Sequence, residues 1–377
     1  VSAIVAGSDS ASAAEPALAR LVEQVRAAAA DATALDIRGG GTKDFYGGAA
    51  VGTPLETAAL RGIRSYEPTE LVITARAGTP LAEIEAALAE KAQCLAFEPP
   101  RFAAGGTVGG MVAAGLAGPA RASAGSVRDF ILGATVLNGR GELLHFGGQV
   151  MKNVAGYDVS RAFAGSMGVL GVICEVSIKV PPVPAARASL MLDCSQADAI
   201  VRLQEWAGSA VPISASCWAG GVLRLRLAGA RASVEASARR LSDKHGAAAL
   251  DPSLADRYWD ALRDQRDAYF APAAADAAAL PLWRLSVPAP HPPLELPGET
   301  LIEWGGAQRW LRSAAPAEHI RAATTRAGGH ATLFRAAERS ADFLTPLSPP
   351  LERIHRALKQ SFDPAGIFNR GRLYPWL

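Results

Sequence analysis

The segment RGGGTKDFYGG, Arg38–Gly48, follows the short apolar run TALDI. Three consecutive glycines after a strand are costly, because glycine loses more backbone freedom on folding than any other residue. Such a run is kept where bare backbone must approach something closely. Two further glycine-dense segments follow, AAGGTVGGMVAAGLAG at 103–118 and MKNVAGYDVSRAFAGSMGVLGVICEV at 151–176. Glycine alternating with small residues lets backbones pack closely and leaves N–H groups able to face an anion. Three such segments in about half the chain point to one extended ligand laid along exposed backbone. Two nucleotide motifs are excluded: there is no GxGxxG and no GxxxxGK[ST], so neither a Rossmann fingerprint nor a P-loop is present.

The bulk properties bound the rest. At 377 residues the chain is long enough for two cores. With 49 % hydrophobic and 20 % charged residues it is globular, and a net charge of +2 gives no basic field for nucleic acid. No apolar run reaches the roughly 18 residues that a membrane-spanning helix needs, and the first residues lack a secretory pattern. Cys94, Cys174, Cys194 and Cys217 stand far apart without a CxxC pair, so they form no zinc or iron–sulfur motif. They are expected to be reduced, and the compartment to be the cytoplasm.

A break falls near Pro181, where PPVPAA interrupts the pattern. Before it the spacing predicts a helix over Ser12–Ala30, strands at ALDI and LVITARA (71–77), and a helix at LAEIEAALAEK. A hairpin is expected around Asn138-Gly139, and a long buried strand at LGVICEVSIKV (170–180). After the break come RASLMLD, QADAIVRLQEWA, ISASCWA, GVLRLRLAG and SVEASARRLSDK, alternating strand and helix. A helix follows at LADRYWDALRDQRDAYF, then a loop at 271–281. The order suits an α+β layer of helices on an antiparallel sheet. The expected organisation is domains at 1–181 and 182–345, with 346–377 returning to the first.

RGGGT, GGTVGG and KNVAGYDVSRAFAGSMGVLGVI, in that order, resemble the PCMH-type FAD-binding domain of the vanillyl-alcohol-oxidase flavoproteins. The third segment and the C-terminal FDPAGIFNRGRL (362–373) resemble the branch that oxidises 2-hydroxy acids, and within it the flavin-binding subunits of bacterial glycolate oxidases. The resemblance implies that the backbone of Gly39, Gly40, Gly41 and Thr42 cradles the FAD pyrophosphate, flanked by Arg38 and Lys43. It implies Gly106, Thr107, Gly109 and Gly110 beside the flavin and ribityl chain, with Gly118, Gly125 and Ser126 continuing along the cofactor. Gly171, Val172 and Ile173 would serve the adenine and ring ends, and Asn369 would close over the flavin. Its partners would be a larger homologous flavoprotein subunit and an iron–sulfur subunit, through which the chain could associate with a membrane.

Departures from the family matter equally. No His flanks the glycine loop, so non-covalent FAD is expected, and no HGDGN-like motif supplies a metal and substrate site. The six histidines are scattered without metal-ligand spacing. No catalytic residue is assigned. Oxidising a 2-hydroxy acid needs a base and a cation for the carboxylate, and His330 and Arg335 in GGHATLFR are the only candidates, with a structural role favoured for His330. Tyr157 and Asp158 touch the ring or cap the next helix, the latter being favoured for Asp158. Trp206, Trp218, Trp259, Trp283, Trp304 and Trp310 line a pocket or form a docking surface. The leading reading is a glycolate-oxidising flavin subunit whose catalysis depends on a partner. The alternatives are a self-sufficient FAD oxidoreductase of another small 2-hydroxy acid, such as D-lactate, and a structural subunit without flavin.

Overall fold

The computed structural model describes residues 16–148, 158–270, 280–337 and 342–377. The expected helix start at Ser12, Tyr157 and most of the 271–281 loop lie outside these residues.

The N-terminal half carries two sheets. Strands β1 (Leu35–Arg38) and β2 (Thr53–Glu56) form a parallel pair. Strands β3 (Ile63–Glu67), β4 (Val72–Arg76), β5 (Ile131–Leu137), β6 (Leu143–Gly147) and β7 (Val172–Lys179) form an antiparallel sheet in the order β3-β4-β7-β5-β6. β4 is buried along its whole length and β7 at all but Glu175 and Lys179, as their positions inside the sheet require. Helix Leu81–Ala89 buries Leu81, Ile84 and Leu88, one stripe at helical spacing, in the core that holds Phe97, Phe130 and Phe163. The hairpin between β5 and β6 differs from a two-residue Asn-Gly turn. Its connection runs through 138–142, with the Asn138 carboxamide oxygen accepting from Arg140 N and Glu142 N and with left-handed φ at Gly141. Gly139 serves another contact: a Cβ there would stand 2.5 Å from Asp363 Oδ1.

The second half is one antiparallel sheet of eight strands: β8 (Ala186–Asp193), β9 (Ile213–Ala219), β10 (Val222–Gly229), β11 (Ala248–Ala249), β12 (Leu282–Ser286), β13 (Glu299–Glu303), β14 (Gln308–Arg312) and β15 (His330–Arg335). The order is β11-β8-β10-β9-β13-β14-β12-β15. The fold is thus α+β, as the helix and strand pattern implies. Helices Gln196–Ala207 and Arg231–His245 cover one face of the sheet with Leu203, Trp206, Val234 and Leu241. The other face meets the N-terminal half, where Tyr46, Leu116 and Met167 share a core with Leu282, Trp310 and Phe334. The expected tryptophan surface is therefore not there. Trp206, Trp259, Trp283 and Trp310 are buried, because each large ring fills the layer under or over the sheet, while Trp218 and Trp304 are half-buried.

The C-terminal segment comes back to the first half. Phe368 bridges Leu35 in parallel, with Leu35 N donating to Ile367 O (2.8 Å) and Asn369 N to Leu35 O (3.0 Å). Lys359 Nζ secures the return, donating to Val169 O and Phe368 O and pairing with Asp363, each at 2.8 Å.

Candidate functional site

β1 delivers Arg38 to a fixed point. The Arg38 carbonyl accepts from both Thr57 N (2.8 Å) and Thr57 Oγ1 (2.9 Å), so the chain leaves the strand with no freedom left in its last peptide. Residues 38–44 then line a cleft of about 190 Å³, whose other walls include Thr107, Gly109, Gly110, Ala113, Ala114, Met167, Gly171, Ile173, Asn369 and Arg372. Among the described residues, the backbone N–H groups of Gly40, Gly41 and Thr42 donate to no protein acceptor. Gly41 has φ +68°, the left-handed turn that lets successive N–H groups converge on one anion.

The glycines of the loop have a second duty that the sequence does not reveal. A Cβ on Gly40 would stand 1.6 Å from the Gly105 carbonyl oxygen, and one on Gly39 would stand 2.5 Å from Thr107 Oγ1. The first and second glycine segments are pressed against each other. Bare backbone at Gly40 is thus required by the protein itself, before any ligand is considered.

The helical end of the second segment spends its donors internally, whereas Gly105 N, Gly106 N and Thr107 N, like the loop amides, donate to no protein acceptor among the described residues. Val108 N donates to Thr79 O (2.9 Å), Gly109 N to Ala77 O (2.7 Å) and Gly110 N to Thr107 Oγ1 (3.2 Å), which caps helix Val108–Ala114. Gly109 is needed for packing, since a Cβ would lie 2.7 Å from that of Ala77. Gly106 abuts Leu81 and Thr42, its carbonyl accepting from Leu81 N. Gly109 and Gly110 thus give the cleft a smooth wall and no backbone donor, while Thr107 lines it with its N–H unspent.

The charged groups around the loop differ sharply in commitment. Arg38 is ion-paired with Asp44 and lies 4.0 Å from Asp36. Arg372, from the C-terminal segment, spends its guanidinium on Gly48 O (2.6 Å) and Lys43 O (3.3 Å). Among the described residues Lys43 has no carboxylate partner: its Nζ reaches Thr42 Oγ1 at 3.4 Å and sits 6.0 Å above the Phe102 ring. Burial without a compensating charge lowers its pKa to about 8.

Asn369 lines the cleft, but its side chain is spoken for. Its Oδ1 accepts from Ile37 N and its Nδ2 donates to Met167 O, both at 2.7 Å, with a left-handed φ of +42°. It clamps three distant segments rather than reaching over a ligand. Gly171 and Ile173 line the cleft, whereas the Val172 side chain points into the core under helix Pro16–Asp31. Gly118, Gly125 and Ser126 do not line it. Gly118 packs on Glu98 O and accepts from Trp304 Nε1 (3.0 Å), Gly125 supplies a positive φ of +104°, and Ser126 makes a capping box with Asp129. Asp158 opens a 3₁₀ turn, yet its carboxylate accepts from Ser160 Oγ (2.5 Å) and pairs with Arg161 rather than capping backbone N–H groups.

Beyond Lys43 the cleft ends in an aromatic cluster. Phe45, Tyr46, Phe102 and Phe334 meet edge-on or tilted, at 5.0–6.2 Å between ring centroids. Arg335 Cζ lies 4.6 Å over Phe45 and its Nη2 reaches Gln265 Oε1, while Arg284 Nη2 donates to Tyr46 OH (3.2 Å). His330 is at the opposite end of β15, opposite Ser286. Five residues of strand separate the two candidates by about 17 Å, so they cannot flank one small 2-hydroxy acid. A small neighbouring cavity, bounded by Phe102, Leu116, Phe334, Arg284, Glu303 and Gln308, holds about 20 Å³. That is room for one water. Burial raises the Glu303 carboxyl to about 7, against the pull of hydrogen bonds from Trp310 Nε1 (2.7 Å) and Gln308 Nε2 (3.0 Å). Arg284 and Glu303 escaped the sequence reading because only strand pairing brings β12 and β13 to the same seam. Among the described residues no group of three His, Cys, Asp or Glu side chains could hold a metal ion, and no helix is long and apolar enough to cross a membrane.

Comparison with known proteins agrees with this geometry. Residues 17–147 match the FAD binding domain family. The chain is 47 % identical over 356 residues to the glycolate oxidase subunit GlcE of Escherichia coli strain K12, covering 94 % of this chain and 96 % of that one. It is 35 % identical over 85 residues to the glycolate oxidase subunit GlcD of Bacillus subtilis strain 168, covering 22 % and 18 % of the two chains. Among solved structures, alkyldihydroxyacetonephosphate synthase superposes with a TM-score of 0.63 over 93 % of this chain and 73 % of that one. At 14 % identity, that likeness concerns the fold alone.

Proposed function

This chain belongs to the family of the glycolate oxidase subunit GlcE, and we propose that its glycine-loop cleft is where it holds FAD as one subunit of a glycolate-oxidising complex. It is an FAD-dependent oxidoreductase of the 2-hydroxy-acid class. The observation that carries the cleft assignment is the run of three uncommitted N–H groups, Gly40, Gly41 and Thr42, in a cleft walled by small residues. A pyrophosphate fits that donor set: convergent backbone donors, one free ammonium, and no carboxylate turned loose on the anion. Arg38, held by Asp44, supplies a fixed positive field, and Lys43 adds a movable one. Ala113, Ala114 and Met167 offer an apolar wall, and Asn369 keeps Ile37 and Met167 in register on either side of it. The 1–181 and 346–377 segments together make the cofactor half, and 182–345 the cap.

FAD supplies the two-electron acceptor that oxidation of glycolate to glyoxylate requires. Among the described residues that line the cleft there is no His, Cys or Tyr, which supports non-covalent binding of the flavin. The adjoining cavity is too small for glycolate, and His330 and Arg335 stand too far apart to bind it together. Both features favour substrate oxidation in concert with a larger homologous flavoprotein subunit, with an iron–sulfur subunit carrying electrons onward.

The test is an anaerobic absorbance experiment on the purified chain. Flavin should be present, should leave entirely with the supernatant after acid precipitation, and should bleach with glycolate only when the larger subunit is added. Rapid bleaching of the lone chain by glycolate or D-lactate would replace this reading with a self-sufficient oxidoreductase.

A further inference from the structure

We propose that FAD binding to this chain takes up a proton on Lys43 Nζ, so that flavin retention weakens as the solution becomes alkaline. The inference rests on the cleft being the FAD site and adds to it a regulation by pH. It starts from the unequal commitment of the three cations at the loop. Arg38 is neutralised by Asp44 with Asp36 nearby, and Arg372 is fixed on the carbonyls of Gly48 and Lys43. Among the described residues, Lys43 alone of these lines the cleft without an ion pair or a carbonyl acceptor, its side chain reaching Thr42 Oγ1.

The groups that face Lys43 from each packed element leave it so. Its own loop offers Arg38 and Asp44, which are paired to each other. The 98–107 segment offers the Phe102 ring, and its Arg101 is turned away to Glu85 at 2.9 Å. The C-terminal segment offers Arg372, and β15 offers Arg335 over Phe45. No carboxylate among these is free to hold an ammonium in the empty cleft. Burial therefore favours the neutral amine, and a diphosphate laid on the adjacent N–H groups favours the ammonium. The two states of the cleft bind different numbers of protons, which is the condition for linkage.

The sign follows directly. Without ligand, Lys43 loses its proton around pH 8. With a diphosphate beside it, the proton is held to higher pH. Between those two limits the affinity for FAD falls as pH rises, approaching tenfold per unit. Below about pH 7 both states are protonated and the affinity is flat.

The experiment is calorimetric titration of the flavin-free full chain with FAD at pH 7 and pH 9, in two buffers of different ionisation heat. Uptake of about 0.9 proton per FAD is expected at pH 9 and about 0.1 at pH 7, with affinity about tenfold weaker at pH 9. Lys43→Arg should bind FAD with no uptake and equal affinity at both pH values, because guanidinium stays charged. Lys43→Met should bind equally at both pH values, and no tighter than the wild-type chain at pH 9. FAD binding without proton uptake at pH 9, or undiminished uptake in Lys43→Arg, overturns the proposal and leaves the cleft assignment standing. Failure of the wild-type chain to bind FAD at pH 7 would instead overturn the cleft assignment itself.

Discussion

The two glycine segments that meet at Gly40 and Gly105 look alike in sequence and spend their amides differently, the second leaving Gly105–Thr107 unspent but committing the three that follow. RGGGT keeps its N–H groups unspent and turns them into the cleft, while GGTVGG spends Val108, Gly109 and Gly110 on Thr79, Ala77 and Thr107. In the first, glycine permits the left-handed turn at Gly41. In the second, it permits helix Val108–Ala114 to sit on Ala77. Glycine density marks where backbone must come close. Only the hydrogen-bond accounting says whether it comes close to a ligand or to the protein itself.

The largest effect should come from breaking the contact between the segments. Gly40→Val would drive a branched side chain into the Gly105 carbonyl, so flavin binding should be lost, together with about 3 kcal/mol or more of stability. The ratio of flavin to protein absorbance and a urea titration read the two losses. Full flavin occupancy in this variant would mean that the segments do not touch.

Asn369→Leu should come next. It strands Ile37 N and Met167 O, two backbone groups in the floor of the cleft, at a cost of about 2–4 kcal/mol. Asn369→Asp keeps the acceptor for Ile37 and should lose only part of that. Equal stability for Asn369→Leu and the wild-type chain in urea would show that the clamp is idle.

The smallest effect is expected on the second segment. Thr107→Val removes the helix cap on Gly110 N and should cost about 1 kcal/mol. Because the Thr107 side chain is committed to Gly110 N and the substitution leaves the segment's backbone N–H groups in place, FAD affinity should change by no more than about threefold. A loss of a hundredfold would show that the Thr107 hydroxyl binds the cofactor directly.

The sequence was legible where a local pattern has one physical cause. The stripe Leu81, Ile84, Leu88 and the Val- and Ile-rich segments of β4 and β7 predict their elements directly, and the glycine loop announces exposed backbone. Strands β12, β13 and β14 are not legible, because each is five residues long and mixes charged or polar side chains such as Arg284, Glu299, Glu303, Gln308 and Arg309 with its apolar ones. Asn369 could be marked from the C-terminal motif, but not its partners, which lie 332 and 202 residues away. The tryptophans misled for a related reason: a large amphipathic ring suits an interface and a core equally, and the sheet decides which. At Gly139 the turn signal was real but its cause was different, since Asp363 crowds it from the returning C-terminal segment.

In this account the cofactor's phosphates take the unspent N–H groups of the first segment and none from the bonded turn Val108–Gly110 of the second. Amide hydrogen exchange followed by mass spectrometry, with and without FAD at pH 7, tests it most directly. The account predicts strong new protection in peptides spanning Gly40–Thr42 and little change at Val108–Gly110, whose amides are already bonded without ligand. New protection at Val108–Gly110 with none at Gly40–Thr42 would contradict it.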